Sequence, residues 1–313
     1  MLAMDGVLII DKPEGLTSHD VISRVRRIMG LRRAGHTGTL DPFATGVLVV
    51  LVGRATRLAQ FLSGDDKEYA ATIRLGYATD TGDITGKPLS AVQACLSFDA
   101  GSIEAALASM RGEIEQTPPM YSAKKVQGRK LYEMARRGEE IQRSAVPIQV
   151  HRFEAMSHND QLLHHNEDGT CDLAVRVVCS AGTYVRTLAE SVGQFLGVGA
   201  HLSALRRTRA GQFKIEDAIS LSELEHEAEA GKGSRLLVSP DAALSHLPFV
   251  RLSAEESRQA RNGIGVPVMS AAETKWQNGQ QVRMRNESDD LLGVGFYDEV
   301  RQLLHPRVVI APQ

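Results

Sequence analysis

Cysteine is nearly missing from this 313-residue chain, and the three that occur, Cys95, Cys171 and Cys179, follow no pattern. An odd count without metal-ligand spacing excludes a disulfide framework and a structural zinc, so the thiols are read as free in a reducing cytoplasm. No apolar run approaches the ~20 residues of a membrane-crossing helix. The opening stretch, MLAMDGVLIIDKP, lacks the basic start and cleavage site of a secretory leader, and no membrane contact is expected. Internal repeats and low-complexity tracts are absent as well. What remains is an ordinary globular composition, 42% hydrophobic and 24% charged, with length for one large domain and a small one.

Net charge is also close to absent, at −2, yet the charges are segregated. Residues 24–33 carry Arg24, Arg26, Arg27, Arg32 and Arg33 with no acid among them. Residues 124–143 hold Lys124, Lys125, Arg129, Lys130, Arg136, Arg137 and Arg143 against Glu133, Glu139 and Glu140. Arg206, Arg207, Arg209 and Lys214 form a third block, and the balancing carboxylates gather between Glu216 and Glu229. Separate basic blocks on a near-neutral chain suit a polyanion held on one face.

The stretch Gly35–Gly46, GHTGTLDPFATG, lies between the first basic block and the apolar run Val47–Val52. Its glycines and Pro42 rule out a helix, and glycine lets backbone approach a bulky ligand closely. Asp41 before Pro42 is held to an extended or turn conformation. Loops set on a rigid strand commonly carry chemistry, and Asp41 and His36 are the candidates here.

Elsewhere the periodicity alternates between strand and helix. Gly6–Lys12 reads as a buried strand, and Thr17 with Asp20 as a capping box opening a helix that Gly30 stops. Val47–Val52, Lys67–Leu75, Val146–Met156 and Asp172–Ser180 read as strands. A short helix is expected from Arg54 to about Leu62, another from Ser102 to about Arg111, and a well-patterned one beginning at Gly182-Thr183-Tyr184-Val185-Arg186. Asp80-Thr81-Gly82-Asp83 is turn chemistry. Thr117–Gly138, inside an insertion of about 117–145, has little apolar periodicity and is read as a mobile basic element. After Pro240 short strands alternate with glycine-containing turns: Val266–Met269, Gln280–Arg285, Leu291–Tyr297 and Arg307–Ile310. Residues 1–240 are therefore expected to form a mixed α+β domain and residues 241–313 a small β-rich module.

Four stretches taken together resemble the TruB family of bacterial tRNA pseudouridine-55 synthases: GHTGTLDPFATGVL, KEYAATIRLGYATDTGD, PPMYSAKKVQGRKLYEMARRGE and SAGTYVRTLAE. The resemblance runs from Gly6 to about Phe213, and the tail resembles a PUA-like domain. It implies a catalytic domain on a bent, mainly antiparallel sheet, a thumb-like RNA-gripping insertion and an RNA-binding tail. It also implies an isomerase that detaches a T-loop uracil of tRNA, rotates it and reattaches it through carbon 5. Asp41 then takes the place of the catalytic aspartate, and His36 that of the residue filling the stack the base vacates. Tyr69 stands for the ring against the base and is also the candidate to influence removal of the carbon-5 proton, Tyr184 and Arg186 stand for the pocket motif, and Leu205 for an apolar wall. Lys12, Lys124, Lys125, Arg129 and Lys130 complete the implied RNA contacts.

The reaction is an isomerisation with no net redox change, so neither cofactor nor metal is expected, and a monomer needing no protein partner suffices. A carboxylate desolvated in a pocket tends to take up a proton, so Arg186 is expected to pair with Asp41. Three rivals stand beside this reading. One is a non-catalytic tRNA-binding or tRNA-folding protein, and the second is a guide-RNA-dependent pseudouridine synthase. The third is an aspartic protease suggested by Asp80-Thr81-Gly82, which lacks the second carboxylate that chemistry needs.

Overall fold

The computed structural model describes residues 4–94, 97–122, 124–126, 128–135, 137–139, 141–157, 161–268 and 276–310. Expectations placed on Cys95, Arg136 and Met269, and on the side chains of Lys125 and Lys130, lie outside the described residues. The strands of the first part are β1 (Gly6–Lys12), β2 (Ala34–His36), β3 (Thr45–Val52), β4 (Lys67–Leu75), β5 (Gly112–Gln116), the short pair β6 (Lys125–Val126) and β7 (Arg129–Lys130), β8 (Val146–Ala155), β9 (Leu163–His165), β10 (Cys171–Cys179), β11 (Ala200–Ala210) and β12 (Phe213–Lys214). The tail contributes β13 (Phe249–Arg251), β14 (Val266–Pro267), β15 (Gln281–Arg285), β16 (Leu291–Asp298) and β17 (Leu303–Val309). The helices are α1 (Ser18–Ile28), α2 (Ala59–Leu62), α3 (Ala100–Ala108), α4 (Leu131–Ala135), α5 (Val185–Phe195), α6 (Leu221–Glu229), α7 (Pro240–Ala243) and α8 (Ala254–Arg261).

Ten strands make one sheet in the order β1-β3-β11-β4-β10-β8-β5, with β2 on β3, β12 on β11 and β9 on β10. Its pairings are antiparallel except at the seam between β3 and β11, which run parallel through Arg206 opposite Thr45 and Arg207 opposite Gly46. Strand β4 shows why the sequence folds this way. Lys67, Tyr69, Ala71, Ile73 and Leu75 are buried and the residues between them half-buried, the period of two that a strand imposes. Both β1 and β4 coincide with their expected bounds. The α1 capping box is present, with the Thr17 hydroxyl accepting from the Asp20 N–H at 3.1 Å and the Asp20 carboxylate accepting from the Thr17 N–H at 2.9 Å.

One core cluster joins α3 and α5 to the sheet through residues such as Ile73, Ile103, Phe153, Val175, Leu188 and Val192. Another joins α1 and α6 to β1 and β3 through Leu8, Ile10, Val21, Val25, Leu48 and Leu224. The tail forms its own five-stranded sheet, β13-β15-β16-β17-β14, around Trp276, Tyr297 and Met284. It meets the first part where Val294, Val308 and Ile310 join a cluster with Val7, Val49 and Phe61.

Strands β5 and β11 carry no assignment from periodicity. The run Ala204-Leu205-Arg206-Arg207-Thr208-Arg209 reads as a basic block because three arginines mask the alternation. In the fold Arg207 is buried at 1% exposure, Arg206 pairs with Asp11 at 2.7 Å, and Arg209 lies 3.5 Å from Glu68. That block is therefore a central strand rather than a free cationic face.

The seam depends on Gly46, which has φ +100°. A Cβ there would sit 2.2 Å from the Arg207 carbonyl oxygen and 2.8 Å from its nitrogen, so neither backbone nor pairing tolerates a side chain. Gly46→Ala is expected to destabilise the protein by about 3 kcal/mol or more, read as a lowered midpoint in thermal or urea unfolding. A melting temperature within about 2 °C of the parent would contradict the close approach.

Candidate active site

The backbone around Asp41 is clamped from two sides. The buried hydroxyl of Ser18, in the first turn of α1, donates to the Leu40 carbonyl at 3.1 Å and accepts from the Leu40 N–H at 2.9 Å. On the other side Lys12 Nζ donates to the Pro42 carbonyl at 3.2 Å and to the Pro13 carbonyl at 2.8 Å. Lys12 is fully buried, and that burial lowers its pKa to about 8. Sequence reading set Lys12 among the RNA contacts. Its ammonium faces carbonyl groups inside the protein, so the side chain braces the loop instead.

Asp41 meets Arg186, the second residue of α5. Arg186 Nε lies 2.9 Å from Asp41 Oδ2, and Nη2 donates to Oδ1 at 3.4 Å. Two backbone carbonyls take further donations: Nη1 donates to the Thr81 carbonyl at 2.8 Å and Nη2 to the Tyr121 carbonyl at 2.7 Å. Asp83 stands 3.8 Å from Nη1. Burial raises the Asp41 pKa above the usual carboxylate range; Arg186 opposes that rise, Asp83 adds to it and Lys12 opposes it. The expected Asp41–Arg186 pair is thus present.

Local sequence marks Asp83 only as part of a turn. Its Oδ1 accepts from the hydroxyls of Thr81 at 2.8 Å and Thr85 at 2.6 Å and from the Thr85 N–H at 3.0 Å, which fixes a second carboxylate beside the arginine. Two acids three residues apart in one turn were the available signal, but a turn uses Asp for local hydrogen bonds far more often than for a distant arginine.

The pair opens on a cavity of about 250 Å³ lined by Tyr69, Tyr184 and Leu205 as well as Asp41 and Arg186. That is slightly under the roughly 300–1,000 Å³ of drug-sized ligand pockets and suits one planar base. Tyr69 and Leu205 share this wall because β4 and β11 place Ala71 opposite Leu205 and Tyr69 opposite Arg207. Burial pushes the Tyr69 phenol above its ordinary pKa, with Arg207 acting against the rise. Arg207 also lines the cavity and is held by the carbonyls of Val47 at 2.7 Å and Gly38 at 3.1 Å. It escaped sequence reading because its role depends on the register of β11. A second cavity, of about 480 Å³, also opens onto Asp41 and Arg186 and is lined by His19, Phe43 and Asp83.

His36 does not line the first cavity. It sits in β2 opposite Val50, with its ring 5.7 Å from that of His19. Burial, helped by His19 and Arg207, lowers its pKa to about 4, so the imidazole is neutral at pH 7. In the insertion Lys124 is half-buried, and Arg129 lies 3.0 Å from Glu139. Among the described residues no group of three or more His, Cys, Asp or Glu could hold a metal ion, and no helix is long and apolar enough to cross a membrane.

Comparison with known proteins gives this arrangement a family. The model of the N-terminal domain of TruB family pseudouridylate synthases matches residues 26–185, and that of the tRNA pseudouridylate synthase B C-terminal domain matches residues 186–245. The tRNA pseudouridine synthase B of Geobacillus kaustophilus is 44% identical over 260 residues, covering 83% of this chain and 90% of that protein. Its counterpart in Aromatoleum aromaticum is 48% identical over 252 residues, covering 80% and 77%. Among solved structures, a Cbf5–Nop10–Gar1 complex matches with a TM-score of 0.74 at 27% identity, covering 99% of this chain and 86% of the matched one. An H/ACA RNP bound to a substrate RNA containing 2'-deoxyuridine matches with a TM-score of 0.72 at 25% identity, with coverage of 99% and 86%. A family model spanning more than half the sequence, joined to identities of this size, leaves one assignment: the chain belongs to the TruB family of pseudouridylate synthases.

Proposed function

We propose that this protein isomerises uridine 55 in the T-loop of tRNA to pseudouridine, with Asp41 as the essential carboxylate. The observation that carries this reading is the Asp41–Arg186 pair opening on a base-sized cavity walled by Tyr69, Tyr184 and Leu205. The target atoms are hidden in a stacked loop, so the base must be extruded, at a cost of a few kcal/mol. Stacking on an aromatic ring returns about 1–3 kcal/mol, and the neutral His36 imidazole is suited to fill the vacated place. In the reaction the bond from N1 to the ribose carbon breaks, carbon 5 bonds to that same carbon, and the carbon-5 proton is lost while N1 gains one. Attack of Asp41 on the base, attack on the ribose and assistance of elimination all require its ionised form, which Arg186 favours. Tyr69, whose phenol holds its proton more tightly than usual, serves as a stacking platform rather than a base.

The wider assignments belong to the same proposal. Residues 1–240 form the catalytic domain and 241–313 a PUA-like RNA-binding domain. Lys124, Lys125, Arg129 and Lys130 of the insertion grip the RNA backbone, and the enzyme works as a cytoplasmic monomer on a T-stem-loop. Identities of 44–48% to tRNA pseudouridine synthase B proteins, against 25–27% to chains of the Cbf5 and H/ACA assemblies, favour direct action on tRNA over guided modification.

The test is release of tritium from carbon-5-labelled uridine in unmodified tRNA. The parent protein should release label, and Asp41→Asn should lose at least about a thousandfold. If both bound tRNA and neither released label, the RNA-binding rival would replace this reading. Asp41→Asn should also melt no lower than the parent at pH 7. A raised native pKa means folding disfavours the ionised form, a penalty the neutral amide removes, and the difference should close as pH falls through the raised pKa.

Arg186→Lys should cut turnover by about a hundredfold, because one ammonium cannot reach Asp41 and both carbonyls together. With less cationic opposition, Asp41 protonates at higher pH, so the acid limb of the rate profile should move upward. Ring-nitrogen shifts of His36 should titrate with a midpoint near 4, since burial favours the neutral ring; a midpoint above about 6 would remove the neutral stacking role.

A further inference from the structure

Gln116, the last residue of β5, is buried at 4% exposure, and its carboxamide is devoted to one distant residue. Its Oε1 accepts from the Tyr184 N–H at 2.7 Å, and its Nε2 donates to the Tyr184 carbonyl at 3.1 Å. A side-chain amide here imitates the two-bond exchange of a neighbouring strand. Tyr184 precedes the first residue of α5 in an extended conformation, φ −101° and ψ 106°, with no side-chain cap on the helix. Arg186 follows two residues later. Its Nη2 donates to the carbonyl of Tyr121, five residues beyond Gln116. The segment 116–121 therefore holds both ends of Tyr184-Val185-Arg186, at the backbone of the first residue and the guanidinium of the last. It is also the segment through which the chain passes into the basic insertion.

A plain need to satisfy the start of α5 would be met by a Ser, Thr or Asp at the cap itself. The long-range amide does more, because it fixes the entry of the helix relative to β5 and leaves a buried group unsatisfied on either side if broken. A displacement of about 1 Å at a reacting pair costs on the order of a hundredfold in rate. From this geometry we propose that Gln116 is a positioning residue for the isomerisation. It holds the Tyr184 backbone, thereby sets Arg186 against Asp41, and couples that pair to RNA gripped by the insertion. The proposal rests on Asp41 being the essential carboxylate.

The experiment uses the full chain with Gln116→Met, which keeps length and loses both bonds, and Gln116→Glu, which keeps the acceptor for the Tyr184 N–H. Single-turnover tritium release, tRNA affinity and amide exchange over Val185–Ala189 are measured for each. Gln116→Met should slow single-turnover release by about 30- to 100-fold while tRNA affinity stays within about threefold. Its acid limb should move to higher pH, a change that loss of packing alone does not produce. Gln116→Glu should lose less, and it decides the matter if the methionine variant fails to fold. A single-turnover rate within about twofold of the parent, or weakened tRNA binding with an unchanged rate, would overturn the proposal. Should the parent itself bind tRNA and release no tritium, the proposed reaction falls and exchange alone decides. Slowing over Val185–Ala189 on tRNA binding in the parent but not in Gln116→Met then supports the coupling, and equal slowing in both refutes it.

Discussion

Burial pushes a carboxylate toward taking up a proton, and at Asp41 the group that opposes this most is Arg186. The guanidinium reaches Asp41 at 2.9 Å and is itself kept in place by the carbonyls of Thr81 and Tyr121. Those two carbonyls lie on the turn carrying Asp83 and on the stretch following β5. Three separated chain segments thus converge on one side chain of a fourth. The backbone on either side of Asp41 is held by Lys12 and Ser18, which donate to the carbonyls of Pro42 and Leu40. Arg207 repeats the device on the other wall, where a buried cation anchored by carbonyls lies beside Tyr69.

Arginine suits these positions because its donors point in fixed, coplanar directions, so one residue can bind a carboxylate and two carbonyls at once. The cost is burial of charge, which the carbonyls and carboxylate around each guanidinium offset in part. Asp41 remains on the unfavourable side of that balance, since burial outweighs Arg186 in raising its pKa. In its ionised form such a residue lowers the stability of the fold rather than adding to it.

Legibility followed how local each signal was. The α1 capping box and the alternation of β4 depend on neighbours a few residues away, and both were readable to the residue. Asp41, Tyr69, Tyr184, Arg186 and Leu205 were found through motif resemblance, and the structure gathers them around one cavity. Periodicity alone supplied only the elements that carry most of them. Strand β11 was missed because Arg206 and Arg209 face acids while Arg207 is buried, a pattern that resembles a solvated basic run until the register is known. Asp83 and Gln116 escaped for the same reason. Each acts through a partner about a hundred or 68 residues away, and no short-range pattern encodes such a partner.

The seam between β3 and β11 has a consequence in time. Arg207 reaches Val47 across a separation of 160 residues. At about 5–20 residues per second, synthesis takes roughly 10–30 s to supply the second strand after the first. Until then Asp41 and Tyr69 exist without Leu205, Arg207 or the joined sheet. The growing chain therefore displays its first two basic segments well before it owns a finished pocket. Competence for chemistry arrives in one late step, when β11 slots between two halves that have been waiting for it.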